Sequence, residues 1–512
     1  MTVLQLLPTP SALQRDQASL RVAIIGGGAT AITLIDAIEL RARQDGLDVE
    51  ITVYEADPRI GPGRAYQNDG DYGLLNRQAC FMSIKRQDPG HFVDWLKVHH
   101  GEELASQEFL PRRYFGQYLS ECFAQQLGNA RQRGRPIQVV AARATSLSVA
   151  AEGVLVGTAG GPARSFDRVA VCIGTAEPHD LFGLGCMPRY IGNPYPMWTR
   201  FAGIGSHDHV AIIGTSLSAV DAVLALVAQG HQGPISMLSR NGLLPAVRMP
   251  HHDFQYRVLS PELLLGKRDA TDNIAWLDWL RIVADELRAQ GVDIDGLGEE
   301  LAPVQCARAR LVRHLAAAQA GAKWLSVLVD ISKDYIEQAW DSLSDADRRA
   351  YLGNYHCVFM SLCNPMPPQT AGKLLQLLES GQLSIRGGLE TVQPIDERSF
   401  RLVHGGGVDQ VDWVINATRS ETGGIGKVGE ALVGAMVGNG VAQLHPFGGI
   451  KVEFGSHRVI DRFGQPSNQV FALGQLASGN HYYTSSLPMI SRQIERLLPA
   501  LLAPHYEQVK LA

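Results

Sequence analysis

The sequence predicts an α/β fold of two parallel-sheet domains, the second inserted in the first and carrying a helical segment of its own. Three observations predict it. Val22-Ala23-Ile24-Ile25 runs into Gly26-Gly27-Gly28-Ala29-Thr30-Ala31, and Val210-Ala211-Ile212-Ile213 runs into Gly214-Thr215-Ser216-Leu217-Ser218-Ala219. Each is a strand, a tight glycine turn and a helix start. That is the layout of a dinucleotide-binding, Rossmann-like βαβ unit, whose helix N-terminus faces a pyrophosphate. Third, strand-like segments return late in the chain, at 413–415 and 470–473, followed by an amphipathic helix at 489–502. If these rejoin the first sheet, that domain is discontinuous. The expected division is 1–204 plus 405–512 for the first domain and 205–404 for the second, with the helical insertion at about 252–355. Two such units in one chain point to two nucleotide cofactors, usually a flavin dinucleotide and a nicotinamide dinucleotide.

The elements between these landmarks follow from periodicity. Residues 31–43 have helical spacing, with Ala31, Leu34, Ile35 and Ile38 on one face and Asp36 and Glu39 off it. Val49-Glu50-Ile51-Thr52-Val53-Tyr54 alternates toward a second strand and completes the first unit. A long loop with Gly61, Pro62, Gly63 and Gly73 precedes helical stretches at 91–98 and 114–127. Strand-like pieces around Val139, at 154–156 and at 169–173 are expected to carry the chain back to the sheet. The second unit occupies 209–238. After it, Trp276, Leu277, Leu280, Val283 and Leu287 recur along one side, the stripe of a packed helix. Ser344-Asp345-Ala346-Asp347 reads as a helix start with a weak capping-box match. Strands at 383–385 and 399–402 then precede the late segments.

Bulk properties narrow the function classes. A chain of 512 residues exceeds the size at which one hydrophobic core stops growing. A formal net charge of -5 argues against a nucleic-acid or anionic-membrane partner, either of which demands a basic face. No stretch approaches a membrane span, and the first 17 residues lack the basic n-region of a signal peptide, so a cytoplasmic location is expected. The seven cysteines are scattered and contain no Cys-x-x-Cys, so neither a disulfide framework nor a dithiol centre is indicated. His99-His100 and His251-His252-Asp253 do not have metal-ligand spacing, because adjacent histidines in a strand point to opposite faces; no metal is expected. There is no Gly-x-Ser-x-Gly elbow and no Walker lysine, and no side chain stands out as a catalytic acid, base or nucleophile.

The candidate cofactor contacts fall into two sets. For FAD, Gly26-x-Gly28-x-x-Ala31 places glycines where the turn is tight and where backbone must nearly touch the pyrophosphate. Glu55 ends the next strand, where a carboxylate can bind both adenosine ribose hydroxyls and repels a 2′-phosphate. Val169-Ala170-Val171-Cys172-Ile173 ends in Gly174-Thr175, a crossing segment between domains, with a counterpart at 413–418 whose next residue, Arg419, stands where glycine is usual. Val470-Phe471-Ala472-Leu473-Gly474-Gln475 matches a late strand whose end reaches the flavin ribityl chain, and the polar loop after it, including Ser485, precedes the final helix. For the nicotinamide nucleotide, the set is Gly214, Ser216, Ala219 and Arg240. Arg240 stands where an acid would select NAD and suits a 2′-phosphate, so NADPH is the expected partner. Ser216 puts a Cβ at the second glycine position, which leaves open a weakened or displaced second site.

Taken together, the chain resembles the bacterial FAD/NAD(P)-binding flavoproteins. More distantly it is similar to the amino-acid N-hydroxylating and flavin-containing monooxygenases. The resemblance rests on Ile25-Gly26-Gly27-Gly28, Gly61-Pro62-Gly63-Arg64-Ala65-Tyr66, Leu74-Leu75-Asn76 with Met82-Ser83, and Phe92-Val93-Asp94-Trp95-Leu96. Further matches are Pro111-Arg112-x-x-Phe115-Gly116-x-Tyr118-Leu119, Asn193-Pro194-Tyr195-Pro196 and Ser239-Arg240-x-Gly242-Leu243-x-Pro245. It implies that the loop from Gly61 to Ser83 lies along the flavin, with Arg64 and Asn76 as contacts. Tyr190-Ile191-Gly192-Asn193 lacks the signature histidine of the flavin-containing monooxygenases, so S-oxidising and Baeyer–Villiger members are poor guides. The implied activity is that of an FAD-dependent monooxygenase using NADPH and O2 to N-hydroxylate an amino group of an amino acid or related small metabolite. A flavin reductase or dehydrogenase serving a partner or organic acceptor, and a non-catalytic flavin-binding protein, are the alternatives. The partners implied are a small-molecule amine and O2, and self-association is left open.

Overall fold

A computed structural model describes residues 19–151, 153–174, 177–418, 426–484 and 486–503. Thr175, Arg419 and Ser485 lie outside the described residues. The first sheet has six strands, in the order 458–460, 466–472, 168–171, 20–25, 49–54, 138–140. All neighbours are parallel except the antiparallel edge strand Arg458–Ile460. At its centre, strand β1 (Leu20–Ile25) leads through the glycine turn to helix α1 (Ala29–Asp45) and back to strand β2 (Val49–Tyr54). Residues on alternate sides of β1 enter different cores. Val22 and Ile24 pack with Ile32, Ile35 and Leu497, whereas Ala23 and Ile25 pack with Leu147, Val154 and Met436. Burial on both faces explains why β1 reads as an unbroken apolar run. Each fully buried isoleucine there contributes about 2–3 kcal/mol.

The second sheet has five parallel strands, in the order 383–386, 235–238, 210–213, 413–416, 190–191. It repeats the logic of the first: Val210 and Ile212 enter one core, Ala211 and Ile213 another. The chain therefore leaves the first sheet between Val171 and Tyr190 and returns to it after Asn416. Trp413–Asn416 pairs with Val210–Ile213, so the late apolar run at 413–416 serves the second sheet, while Pro466–Ala472 serves the first. The expected strand at 154–156 is present but belongs to a separate antiparallel meander, Ala144–Ala150, Gly153–Thr158 and Gly161–Phe166. Its turns close consecutive strands on one another before they can reach the parallel sheet.

Between the third and fourth strands in sequence of the second sheet, Ile235–Leu238 and Leu383–Arg386, lies the helical segment, from Pro261–Gly266 to Pro368–Glu379, somewhat longer than its periodicity predicted. Ser344 caps one of its helices, its Oγ accepting from Asp347 N at 3.1 Å. The segment packs on the C-terminal part of the first unit. Trp340 Nε1 donates to Gly479 O at 2.8 Å, and the buried Glu337 carboxylate accepts from Gln493 Nε2 and Arg496 Nη2, each at 3.0 Å. His481, Arg496 and the Gln493 hydrogen bond hold Glu337 down at about pKa 2 against the effect of its burial. The insertion is thus fastened across the first domain, and that closure shapes the site. No helix among the described residues is long and apolar enough to cross a membrane.

Candidate functional site

The first glycine turn is built by close backbone approach. Gly26 has φ +107°, its N donates to Tyr54 O at 2.9 Å, and a Cβ on it would stand 2.4 Å from Cys172 O. Only glycine fits there. Gly27 N donates to Glu55 Oε2 at 2.9 Å, and Glu55 Oε1 accepts from Asp57 N at 2.9 Å, so the carboxylate at the end of β2 is oriented by backbone on both sides. Gly28 is the N-cap of α1, with no side chain capping the helix, and a Cβ on it would meet nothing within 4 Å. The helix therefore opens its positive end onto free space. Ala31 is fully buried, one turn behind.

That free space is a cavity of about 490 Å³. Its lining includes Gly28, Arg64, Asn76 and Gly174. Of these, Arg64 lies with its guanidinium 5.4 Å over the Tyr195 ring, and burial lowers its pKa. Gly474 faces the same turn: a Cβ on it would be 3.9 Å from Thr30 Oγ1, and its N donates to Gln493 Oε1 at 3.3 Å. Gln475 is turned toward Thr484, whose Oγ1 donates to Gln475 Oε1 at 3.5 Å, and it does not line the cavity. The uncapped α1 terminus, the Cβ-free turn and the acid at the end of β2 fit a dinucleotide such as FAD.

The second turn opens onto the same cavity. Leu217 and Ser218, at the start of the helix Leu217–Ala228, line it, and Tyr195 OH donates to Ser218 Oγ at 3.2 Å. Gly214 repeats the Gly26 geometry, with φ +116° and a virtual Cβ 2.9 Å from Ala417 O. Ala219 is fully buried. Ser216 is exposed at the N-cap and makes no capping bond, so its hydroxyl stands at the mouth of the turn. Arg240 is exposed after the strand Ile235–Leu238, and its carbonyl accepts from Gly388 N at 2.8 Å. The adjacent Ser239 locks the turn, its Oγ accepting from Gly242 N at 2.9 Å.

Several cavity residues were given no role by the sequence, Arg112 among them although it lies in a matched motif. Arg112 pairs with Asp221 across the two domains, Nη1 to Oδ2 at 2.7 Å. Burial pushes the Asp221 carboxyl up to about 6, against the pull of Arg112. Nearby, Asp69 accepts from Met197 N and Trp198 N, both at 2.7 Å, tying the first domain to the crossing segment. The lining also has a polar part, where Asp330 and Lys333 of the helical insertion meet Arg77, Arg248, His251 and Tyr483. Arg248 Nε donates to Asn76 O at 2.7 Å, and Tyr483 OH donates to Asn364 Oδ1. Arg77 stood beside a motif residue, Asn76, yet nothing in the local pattern marks an arginine as facing inward. Only the position of the insertion reveals it.

Comparison with known proteins agrees with this geometry. Residues 23–176 match a family model described as FAD-NAD(P)-binding, so the first unit is an FAD/NAD(P)-binding domain, as its glycine turn and Glu55 imply. The ornithine hydroxylase PvdA from Pseudomonas aeruginosa superposes with a TM-score of 0.58 at 15% identity, covering 94% of this chain and 98% of that one. The L-lysine 6-monooxygenase from Pseudomonas syringae gives a TM-score of 0.57 at 14% identity, over 94% and 99% of the two chains. The chain thus shares the two-domain fold of those enzymes. It is also 22% identical over 429 residues to the uncharacterized protein YdhS of Escherichia coli K12, spanning 71% of this chain and 76% of that one.

Proposed function

We propose, from the FAD/NAD(P)-binding domain as premise, that the protein is an FAD-dependent monooxygenase that uses NADPH and O2 to oxygenate an amino group of a small metabolite. One observation carries this reading. The uncapped N-termini of α1 and of the helix Leu217–Ala228 both open onto one cavity, which continues into a polar chamber beneath the helical insertion. The reacting ends of two dinucleotides and a small substrate can therefore meet in one cavity. Gly26, Gly28, Glu55, Arg64, Asn76, Gly174 and Gly474 are the residues assigned to FAD; Thr175, Gln475 and Ser485 complete the expected set. Gly214, Ser216, Ala219 and Arg240 are assigned to NADPH. Bound there, FAD would supply the redox chemistry that couples NADPH to O2.

The chain's own contribution is binding, orientation and exclusion of water. Glu55, fixed by Gly27 N and Asp57 N, presents a preset acceptor for ribose hydroxyls. The insertion, held by Trp340 and Glu337, walls one side of the chamber and limits the access of bulk water to it. Arg240 is exposed after the strand Ile235–Leu238, where a guanidinium can pair with a 2′-phosphate without a burial cost. Substituting Arg240→Ala is expected to weaken NADPH about 10- to 100-fold, the loss of a charge-assisted bond of roughly 1.5–3 kcal/mol, and to leave NADH little changed. Stopped-flow rates of flavin reduction against each nucleotide check this. The full reading is tested by anaerobic reduction with NADPH, then O2 and a panel of small amines, with mass spectrometry for the hydroxylated product. A product that depends on amine, NADPH and O2 is expected. Hydrogen peroxide alone with every amine would sink the oxygenation reading, and no flavin reduction by either nucleotide would sink the enzyme.

A further inference from the structure

The polar chamber has an unbalanced charge. Five cationic side chains line the cavity, Arg64, Arg77, Arg112, Arg248 and Lys333, against a single carboxylate, Asp330. Three of the five are accounted for. Arg64 lies at the dinucleotide end beside Tyr195, Arg112 is paired with Asp221, and Lys333 is paired with Asp330, Nζ to Oδ1 at 3.1 Å. Asp330 is further engaged by His251 Nδ1 at 3.7 Å. Arg77 and Arg248 form no ion pair with a carboxylate among the described residues; Asp330, already paired with Lys333, acts on both only from farther off.

Both are held as if waiting for an anion. Arg248 is anchored by Nε to Asn76 O at 2.7 Å, and its backbone N donates to Met366 O at 2.8 Å. Arg77 lies with its guanidinium 5.3 Å over the Phe81 ring, and its buried Nε has no hydrogen-bond partner among the described residues. Burial lowers the pKa of both, that of Arg248 to about 10, and the positive charge of Arg77 adds to the effect on Arg248. Two half-buried like charges with spare donors are unfavourable unless an opposite charge completes them. Guanidinium forks match an oxyanion in geometry as well as charge.

We propose that Arg77 and Arg248 form a clamp for the oxyanion of the substrate, a carboxylate or phosphate, so that the amine accepted by this chamber is an anionic one and not a simple amine or diamine. This rests on the monooxygenase reading for the word substrate, but the clamp itself is testable without turnover. FAD-loaded protein is titrated with acetate, with inorganic phosphate and with methylammonium at constant ionic strength, following the visible flavin difference spectrum. Saturable binding of acetate or phosphate, and none of methylammonium, is expected; whichever oxyanion binds more tightly identifies the group. Arg77→Gln and Arg248→Gln should each raise its apparent dissociation constant at least tenfold, and Arg77→Lys, which keeps the charge and guards against a folding defect, about threefold. FAD content and thermal midpoint are measured on every variant. No saturable oxyanion response, or one unchanged in both glutamine variants, overturns the proposal. So does loss of FAD or NADPH binding with the oxyanion response intact, which would give the pair to a cofactor phosphate. Oxyanion binding without any hydroxylated product would instead retire the monooxygenase reading and leave the clamp standing.

Discussion

Gly26→Ala is expected to yield a protein that purifies without its flavin. The new methyl group would stand 2.4 Å from Cys172 O and 2.9 Å from Cys172 C, both backbone atoms that cannot swing aside. The backbone at φ +107° is also a conformation that L side chains rarely adopt, a strain of about 1–3 kcal/mol by itself. Relief requires β1 and the strand Arg168–Val171 to part at their C-terminal ends, where Cys172 N donates to Ile25 O at 2.7 Å. That displaces the α1 N-terminus from the pyrophosphate. A loss of roughly 3 kcal/mol or more in FAD binding corresponds to about a 100-fold weaker complex. The ratio of absorbance at 450 nm, a general flavin wavelength, to that of the protein reports it directly. Gly28→Ala is the control. A Cβ there meets nothing within 4 Å, so folding is retained and only the approach of the cofactor is affected. Normal flavin content in Gly26→Ala would show that the turn does not hold the dinucleotide.

Arg112→Met is expected to destabilise the folded protein, and more so at alkaline pH. Arg112 joins the domains by its pair with Asp221, whose side chain is 7% exposed, and by Nε donating to Leu74 O at 3.0 Å. Removing one partner of a buried pair leaves the other charged and uncompensated, typically a loss of about 3–5 kcal/mol. The pH dependence has a definite sign. Because burial raises the folded-state pKa of Asp221 to about 6, its stability term is fully present below the unfolded value of about 4 and is lost as pH rises through about 6. Arg112 is the charge that pulls this pKa down, so in the variant the loss continues to higher pH. The difference between variant and wild type should be small near pH 5 and largest near pH 8. Urea unfolding at the two pH values checks it. A deficit independent of pH would mean that Arg112 acts through packing and its bond to Leu74, not through Asp221.

The residues that repeat or punctuate were legible in advance. The two glycine turns, the acid at the end of β2 and the periodicity of α1 are local signals, each produced by backbone sterics or by a single buried face. The late apolar runs were legible as strands but not as members of a given sheet. Trp413–Asn416 and Pro466–Ala472 have the same character, yet the first pairs with Val210–Ile213 and the second with Arg168–Val171. Strand pairing is a choice among distant partners that a short apolar run does not encode by itself. The chamber was the least legible part. Arg77, Arg248, Asp330 and Lys333 are separated by up to hundreds of residues and obey no spacing rule, and they meet because the helical insertion folds over the first domain.

The chain read alone establishes an α/β protein with two nucleotide turns, and it establishes that the second turn differs from the first at Ser216. These are properties of contiguous residues, where φ, side-chain size and period decide the outcome within one turn or strand. Which sheet each late strand joins, the pairing of Arg112 with Asp221, and the gathering of Arg77 and Arg248 in one cavity with no carboxylate ion pair are decided only when distant segments are packed. Burial is what turns an ordinary arginine into an unpaired charge, and burial is a property of the whole fold.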